Sequence, residues 1–127
     1  MNLHLPYHIK LRRTHDFEVE YRFLTAKEGG RKTGLPFQGY RCNFYYETHQ
    51  TKQNNSYTIW PEFLYNNKDL FMQTDKPVLI AGKARIWIMS EEMREFHRQN
   101  IKVGLSAYFM EGKKKIAECT VISISGL

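Results

Sequence analysis

The segment FEVEYRFLT, Phe17–Thr25, alternates without a break. Phe17, Val19, Tyr21 and Phe23 fall on one side, and Glu18, Glu20, Arg22 and Leu24 on the other. Residues with a period of two occupy opposite faces of an extended chain, so the segment predicts a half-buried strand. The signal recurs. GYRCNFYYE puts Tyr40, Cys42, Phe44 and Tyr46 on one face and Arg41, Asn43 and Tyr45 on the other. SYTIW is a short strand candidate that stops before Pro61. PVLIAGKARIWIM, Pro77–Met89, is a long one whose Gly82 suggests a bulge. VGLSAYFMEG and KKIAECTVISI meet at Glu111–Gly112–Lys113, a hairpin signal. One stretch, SEEMREFHRQN, reads as helix near Glu91–Gln99. Ser90 is placed to cap it, acids begin it, and Met93 and Phe96 share one face. Many short strands with one minor helix predict an all-β barrel or sandwich.

At 127 residues the chain is one domain by size, long enough to bury a core without metals or disulfides. With 42% hydrophobic and 14% aromatic residues it is a folding sequence. No apolar run approaches the roughly 20 residues that span a bilayer. The start, MNLHLPYHIKLRR, lacks the form of a signal peptide. The expectation is a cytoplasmic protein without a membrane partner. Cys42 and Cys119 both lie in strand-like segments, and neither belongs to a CxxC pair. They are expected to be reduced, buried and unreactive. The net charge of +6 tilts the partners toward polyanions. The cations cluster at Lys10, Arg12 and Arg13, at Arg31 and Lys32, and at Lys113, Lys114 and Lys115.

Catalytic constellations are missing. There is no GxxxxGK[ST] loop, no GxGxxG after a strand, no HExxH and no GxSxG elbow. The histidines show no metal-ligand spacing. Glu91 and Glu92 stand at a helix start, where acids favour the dipole. The chain therefore reads as a non-enzyme that needs no cofactor and no metal.

FEVEYRFLTAKEGGRKTG followed by GYRCNFYYE resembles the opening of the C-terminal β-barrel domain of elongation factor Tu. GLSAYFMEGKKKIAECTVISI is similar to that domain's closing hairpin. The resemblance covers Phe17 to about Ile124, with 1–16 as an N-terminal extension and 17–127 as the barrel. The chain departs from the pattern at Lys32, where the family has histidine, at Cys42, where it has proline, and at Asn43, where it has glutamine. It also has an extra residue in the first loop and an inserted helix at Ser90–Asn100. The resemblance implies a single six-stranded antiparallel barrel. The family's GTPase lies in a separate domain, so GTP hydrolysis is not carried over.

In the family this barrel contacts the T stem of aminoacyl-tRNA and touches the nucleotide exchange factor. Carried over by residue, the RNA contacts become Arg31, Lys32 and Thr33, then Arg41 and Asn43, then Glu111 and Gly112. Lys113, Lys114 and Lys115 extend that surface. Binding of tRNA or another structured RNA is the leading expectation, since A-form RNA is read through shape, 2′-hydroxyls and phosphates. The alternative is a protein-interaction module, with a translation factor or a toxin–antitoxin or immunity-type partner. Two plainer readings stand beside both: Gly29–Gly30 simply make a turn, or Arg41 pairs with an acid on a neighbouring strand.

Overall fold

The computed structural model describes residues 3–47, 57–66 and 68–127. Six strands close into one antiparallel barrel: β1 (Phe17–Phe23), β2 (Cys42–Tyr46), β3 (Tyr57–Phe63), β4 (Ala81–Ile88), β5 (Ser106–Glu111) and β6 (Lys114–Ile124). They pair around the wall in the order β1-β4-β3-β2-β5-β6. Closure leaves no open sheet edge. This is the architecture that the resemblance implied.

The alternation sets the inside. Phe17, Val19, Tyr21 and Phe23 of β1, Phe44 of β2, Ile59 and Phe63 of β3, and Phe109 of β5 are all buried. Aromatic edges meet faces across the interior, as in Phe17–Phe44 at 5.3 Å and Tyr21–Phe63 at 5.1 Å. A barrel this narrow is filled by its own side chains. Both thiols are free and buried, and burial pushes their pKa values up. A protonated thiol shut away from solvent is a poor nucleophile.

Three strand details depart from expectation. β3 does not stop before Pro61 but runs to Phe63, with Pro61 opposite Ile86 of β4. Ser56, the first residue of the expected strand, lies outside the described residues. Proline is tolerated here because the β2–β3 pairing reaches only as far as Ile59, so no ladder bond is demanded of its nitrogen. Beyond it the Gln38 side chain replaces a strand. Its oxygen accepts from the Phe63 N–H at 2.9 Å, and its amide donates to the Phe63 and Phe71 carbonyls, both at 2.8 Å. The bulge expected at Gly82 is also not there. The β1–β4 register runs unbroken through Tyr21↔Gly82, and the Tyr21 side chain lies over the glycine. The register shifts fall instead between Glu18 and Val19 and between Phe109 and Met110. The long segment from Pro77 is strand only from Ala81 onward.

The wall separates two ends. At one end a 3₁₀ turn, Glu91–Met93, leads into α2, Arg94–Asn100. Ser90 precedes the turn without a side-chain cap; its carbonyl accepts from the Met93 N–H at 3.3 Å. Phe96 and His97 of α2 pack on Tyr46 and Tyr57. The β5–β6 hairpin turn marks the other end. The segment before β1 crosses the outside of β3 and β4. Its one helical turn, α1 (Tyr7–Lys10), sets Tyr7 5.2 Å from Trp60 and 5.5 Å from Trp87.

That crossing is held by two buried carboxylates. Asp16, with no exposed surface, receives both Arg13 contacts at 3.0 Å, lies 2.9 Å from Arg94 of α2, and accepts the Ile88 N–H at 2.7 Å. Its carbonyl accepts from Ser125 and Gly126, so one residue ties the extension, β4, α2 and the C-terminal residues together. Only glycine fits at 126, because a Cβ there would lie 2.9 Å from the His15 carbonyl oxygen. Glu62, also fully buried, pairs with His4 at 2.6 Å and accepts the Tyr7 N–H at 2.9 Å.

Candidate nucleic-acid interface

The loaded loop between β1 and β2 begins with local geometry. Thr25 and Glu28 form a capping box around a 3₁₀ turn, Ala26–Glu28. Gly29 follows at φ 93°, and the Gly30 N–H reaches back to the Thr25 carbonyl at 2.9 Å. A Cβ on Gly30 would sit 2.2 Å from the Leu24 carbonyl oxygen, so this glycine permits a close backbone approach. The glycine pair is fully explained as a turn.

Arg31 is a staple within the same loop. Its Nε donates to the Gly34 carbonyl at 2.9 Å, Nη1 to Glu111 at 2.7 Å and Nη2 to the Thr33 hydroxyl at 3.3 Å. Its guanidinium also lies 5.0 Å from the centre of the Tyr40 ring. The Tyr40 hydroxyl donates to the same Glu111 carboxylate. Burial, helped by that carboxylate, raises the Tyr40 pKa. Two sequence-predicted segments, Arg31–Thr33 and Glu111–Gly112, are thus brought into contact across a separation of 80 residues. The acid anticipated among the RNA contacts, Glu111, is neutralised internally.

Arg41 meets a different neighbour. Among the described residues it pairs with no acid; its guanidinium lies over the indole of Trp60 on β3 at 4.0 Å. Stacking uses the flat face of a guanidinium and leaves the in-plane N–H donors at its edge. Asn43, two residues on and on the same outer face, accepts from Thr58 at 3.3 Å.

Lys113 and Lys114 stand exposed at the hairpin turn, with Lys114 opposite Glu111 in the pairing. Lys115 lies over the Tyr108 ring at 4.1 Å. Lys32 is exposed beside Arg31. Among the described residues Lys32, Arg41, Lys113 and Lys114 have no carboxylate within ion-pair distance.

Strand order turns these separate residues into a rim. Trp60 belongs to β3, Arg41 leads into β2, Glu111 ends β5 and Lys114 begins β6, and those strands are consecutive neighbours in the wall. Adjacent strands lie about 4.8 Å apart, so the cations form a row along the hairpin end. α2 sits at the opposite end and leaves this rim uncovered. Next to it, along β1, β6 and β5, the sign changes: Glu20, Glu47 and Glu118 line a cleft of about 340 Å³ with Arg22, which pairs with Glu28 and Glu118, and with Tyr108, whose ring lies under Lys115.

Sequence reasoning missed Trp60 and Lys10, whose Nζ lies 5.2 Å from the same indole. The signal for Trp60 was present: with Tyr57 and Ile59 pointing inward, the alternation turns Thr58 and Trp60 out. An aromatic on an outer strand face beside a basic loop is a binding cue. Lys10 was legible only as one of the cation cluster with Arg12 and Arg13, since it lies outside the segments of resemblance. Among the described residues no three metal-ligating side chains converge, and no helix is long and apolar enough to cross a membrane. No protein-family model and no curated protein matches this chain.

Proposed function

We propose that this protein is a non-catalytic binding module, akin to the C-terminal barrel of elongation factor Tu, that holds tRNA or another structured RNA against its hairpin-end rim in the cytoplasm. What supports the reading is the row of cations Lys32, Arg41, Lys113 and Lys114, which have no carboxylate partner among the described residues, on an end of the barrel that α2 does not cover. Lysines supply point charges for phosphates, and Arg41 supplies a planar fork for bidentate contact. Thr33 and Asn43 offer neutral hydrogen-bonding groups nearby. The role of Arg31 in this reading is to hold the loop against Glu111, so that Lys32 and Thr33 are presented in one position.

A second reading, a docking site for a translation factor or a toxin–antitoxin or immunity-type partner, draws on one feature. Tyr65, Leu70, Phe71, Met72 and Leu79 line an apolar groove of about 450 Å³, and Tyr65 and Leu79 are 53% and 41% exposed. Titrating labelled tRNA into the wild type and into a Lys113→Ala/Lys114→Ala variant separates the two readings. RNA binding predicts saturable association that the variant weakens by at least tenfold. Absence of tRNA binding at low salt would leave the groove as the leading surface.

A further inference from the structure

We infer that Trp60, flanked by Arg41 and Lys10, forms a subsite for a backbone phosphate of the bound RNA, and that the N-terminal segment belongs to the binding surface. The inference rests on the RNA-binding reading above and extends it to residues outside the resemblance.

Two cations share one indole here. The Arg41 guanidinium lies 4.0 Å from the ring centre and the Lys10 ammonium 5.2 Å. Each is attracted by the π-face, but the two repel one another. No carboxylate among the described residues reaches either of them. The acid behind Trp60 on the same strand, Glu62, has no exposed surface and already holds His4 and the Tyr7 N–H. The charge complement that this pair lacks among the described residues is a mobile anion. A phosphate between them accepts from the guanidinium edge and from the ammonium, and such charge-assisted contacts are the strong kind.

The segment that presents Lys10 is fixed in place. The His4 N–H donates to the Met72 carbonyl at 2.7 Å, Tyr7 packs on Trp60 and Trp87, and Arg13 binds Asp16 and the Ile88 carbonyl. The helical turn then ends through Arg12 at φ 57°, a left-handed conformation that glycine adopts at less cost. Lys10 is therefore carried by anchored backbone and not by a loose tail. Along the wall it continues the row: hairpin lysines, Arg41, Trp60, Lys10.

The two tryptophans give a direct readout, because Trp87 is 1% exposed while Trp60 is only partly buried. Acrylamide quenching of the intact wild-type chain therefore reports mainly on Trp60. Adding tRNA is expected to protect this fluorescence. Lys10→Ala and Arg41→Ala, both at exposed positions, should each lower the log–log salt slope of tRNA binding by about 0.9, the loss of one neutralised phosphate. Lys102→Ala, at the helix end, should leave it unchanged. If tRNA binds the Lys10→Ala variant with wild-type affinity and slope, and quenching is the same with and without tRNA, the subsite is wrong while the RNA reading survives. If the wild type binds no tRNA at any salt, the RNA reading fails and the subsite with it.

Discussion

The two ends of the barrel are finished in opposite ways. At the helix end, charge is paired inside the protein: Asp16 gathers two arginines and a backbone N–H. His97 is buried against Tyr46, its Nδ1 2.6 Å from the phenol oxygen and its Nε2 without a hydrogen-bond partner among the described residues. At the hairpin end, Arg31 and Tyr40 are spent on Glu111, Arg41 stacks on Trp60, and Lys32, Arg41, Lys113 and Lys114 have no carboxylate within ion-pair distance among the described residues. The first end uses charge to fasten elements together. The second holds one cation to shape a loop and leaves its neighbours facing water. Substitutions at the helix end should therefore change stability, and substitutions at the hairpin end should change binding.

The largest effect is expected at Asp16. Asp16→Ala removes the partner of two arginines and of the Ile88 N–H, and breaking such a buried cluster costs about 3–5 kcal/mol. Urea unfolding should show that loss, while the salt dependence of tRNA binding by the folded fraction stays that of the wild type. A change in binding slope would show that the two ends are not independent.

Gly30→Ala sharpens the comparison from the other side. The new methyl would meet the Leu24 carbonyl, and such overpacking costs about 1–3 kcal/mol. Because this loop presents Lys32, tRNA affinity should fall together with stability. Stability lost with binding intact would mean that Lys32 is not a contact.

The helix end should also be the acid-sensitive one. Burial, opposed in part by Asp16 and reinforced by Arg94, lowers the His97 pKa to about 4, against about 6.5 for an exposed histidine. The unfolded chain thus binds a proton that the folded chain does not. The contribution is complete above pH 6.5 and is lost as pH falls from there toward 4. The urea midpoint should decline through that window, and His97→Phe should flatten the decline.

The strands were legible because period two survives in short segments. β1 and the β5–β6 hairpin were readable from their own residues, since inward Phe17, Val19, Tyr21 and Phe23 need no distant partner to be recognised. β3 was not, because proline stops a strand only where its nitrogen is needed. That depended on where β2 began and on the side chain of Gln38, 25 residues from Phe63. The Gly82 bulge failed for a related reason: the ring that covers the glycine, Tyr21, arrives from another strand. In the candidate site, residue types were legible and their employment was not. Arg31 and Arg41 look alike in sequence. Which is stapled and which is stacked was decided by Glu111 and Trp60, both distant in the chain. The N-terminal segment carried no periodic pattern, so its docking on Trp60 and Trp87 could only be seen in three dimensions.

The central claim is that the hairpin-end rim is an RNA surface dominated by phosphate contacts. Its most direct test is a titration of labelled tRNA at several salt concentrations, with the wild type beside a Lys32→Ala/Arg41→Ala variant. A footprint of about four phosphates predicts a log–log slope of roughly −3 to −4 for the wild type, reduced by about two in the variant. Equal slopes for the two proteins, or no binding by the wild type at low salt, would contradict the account.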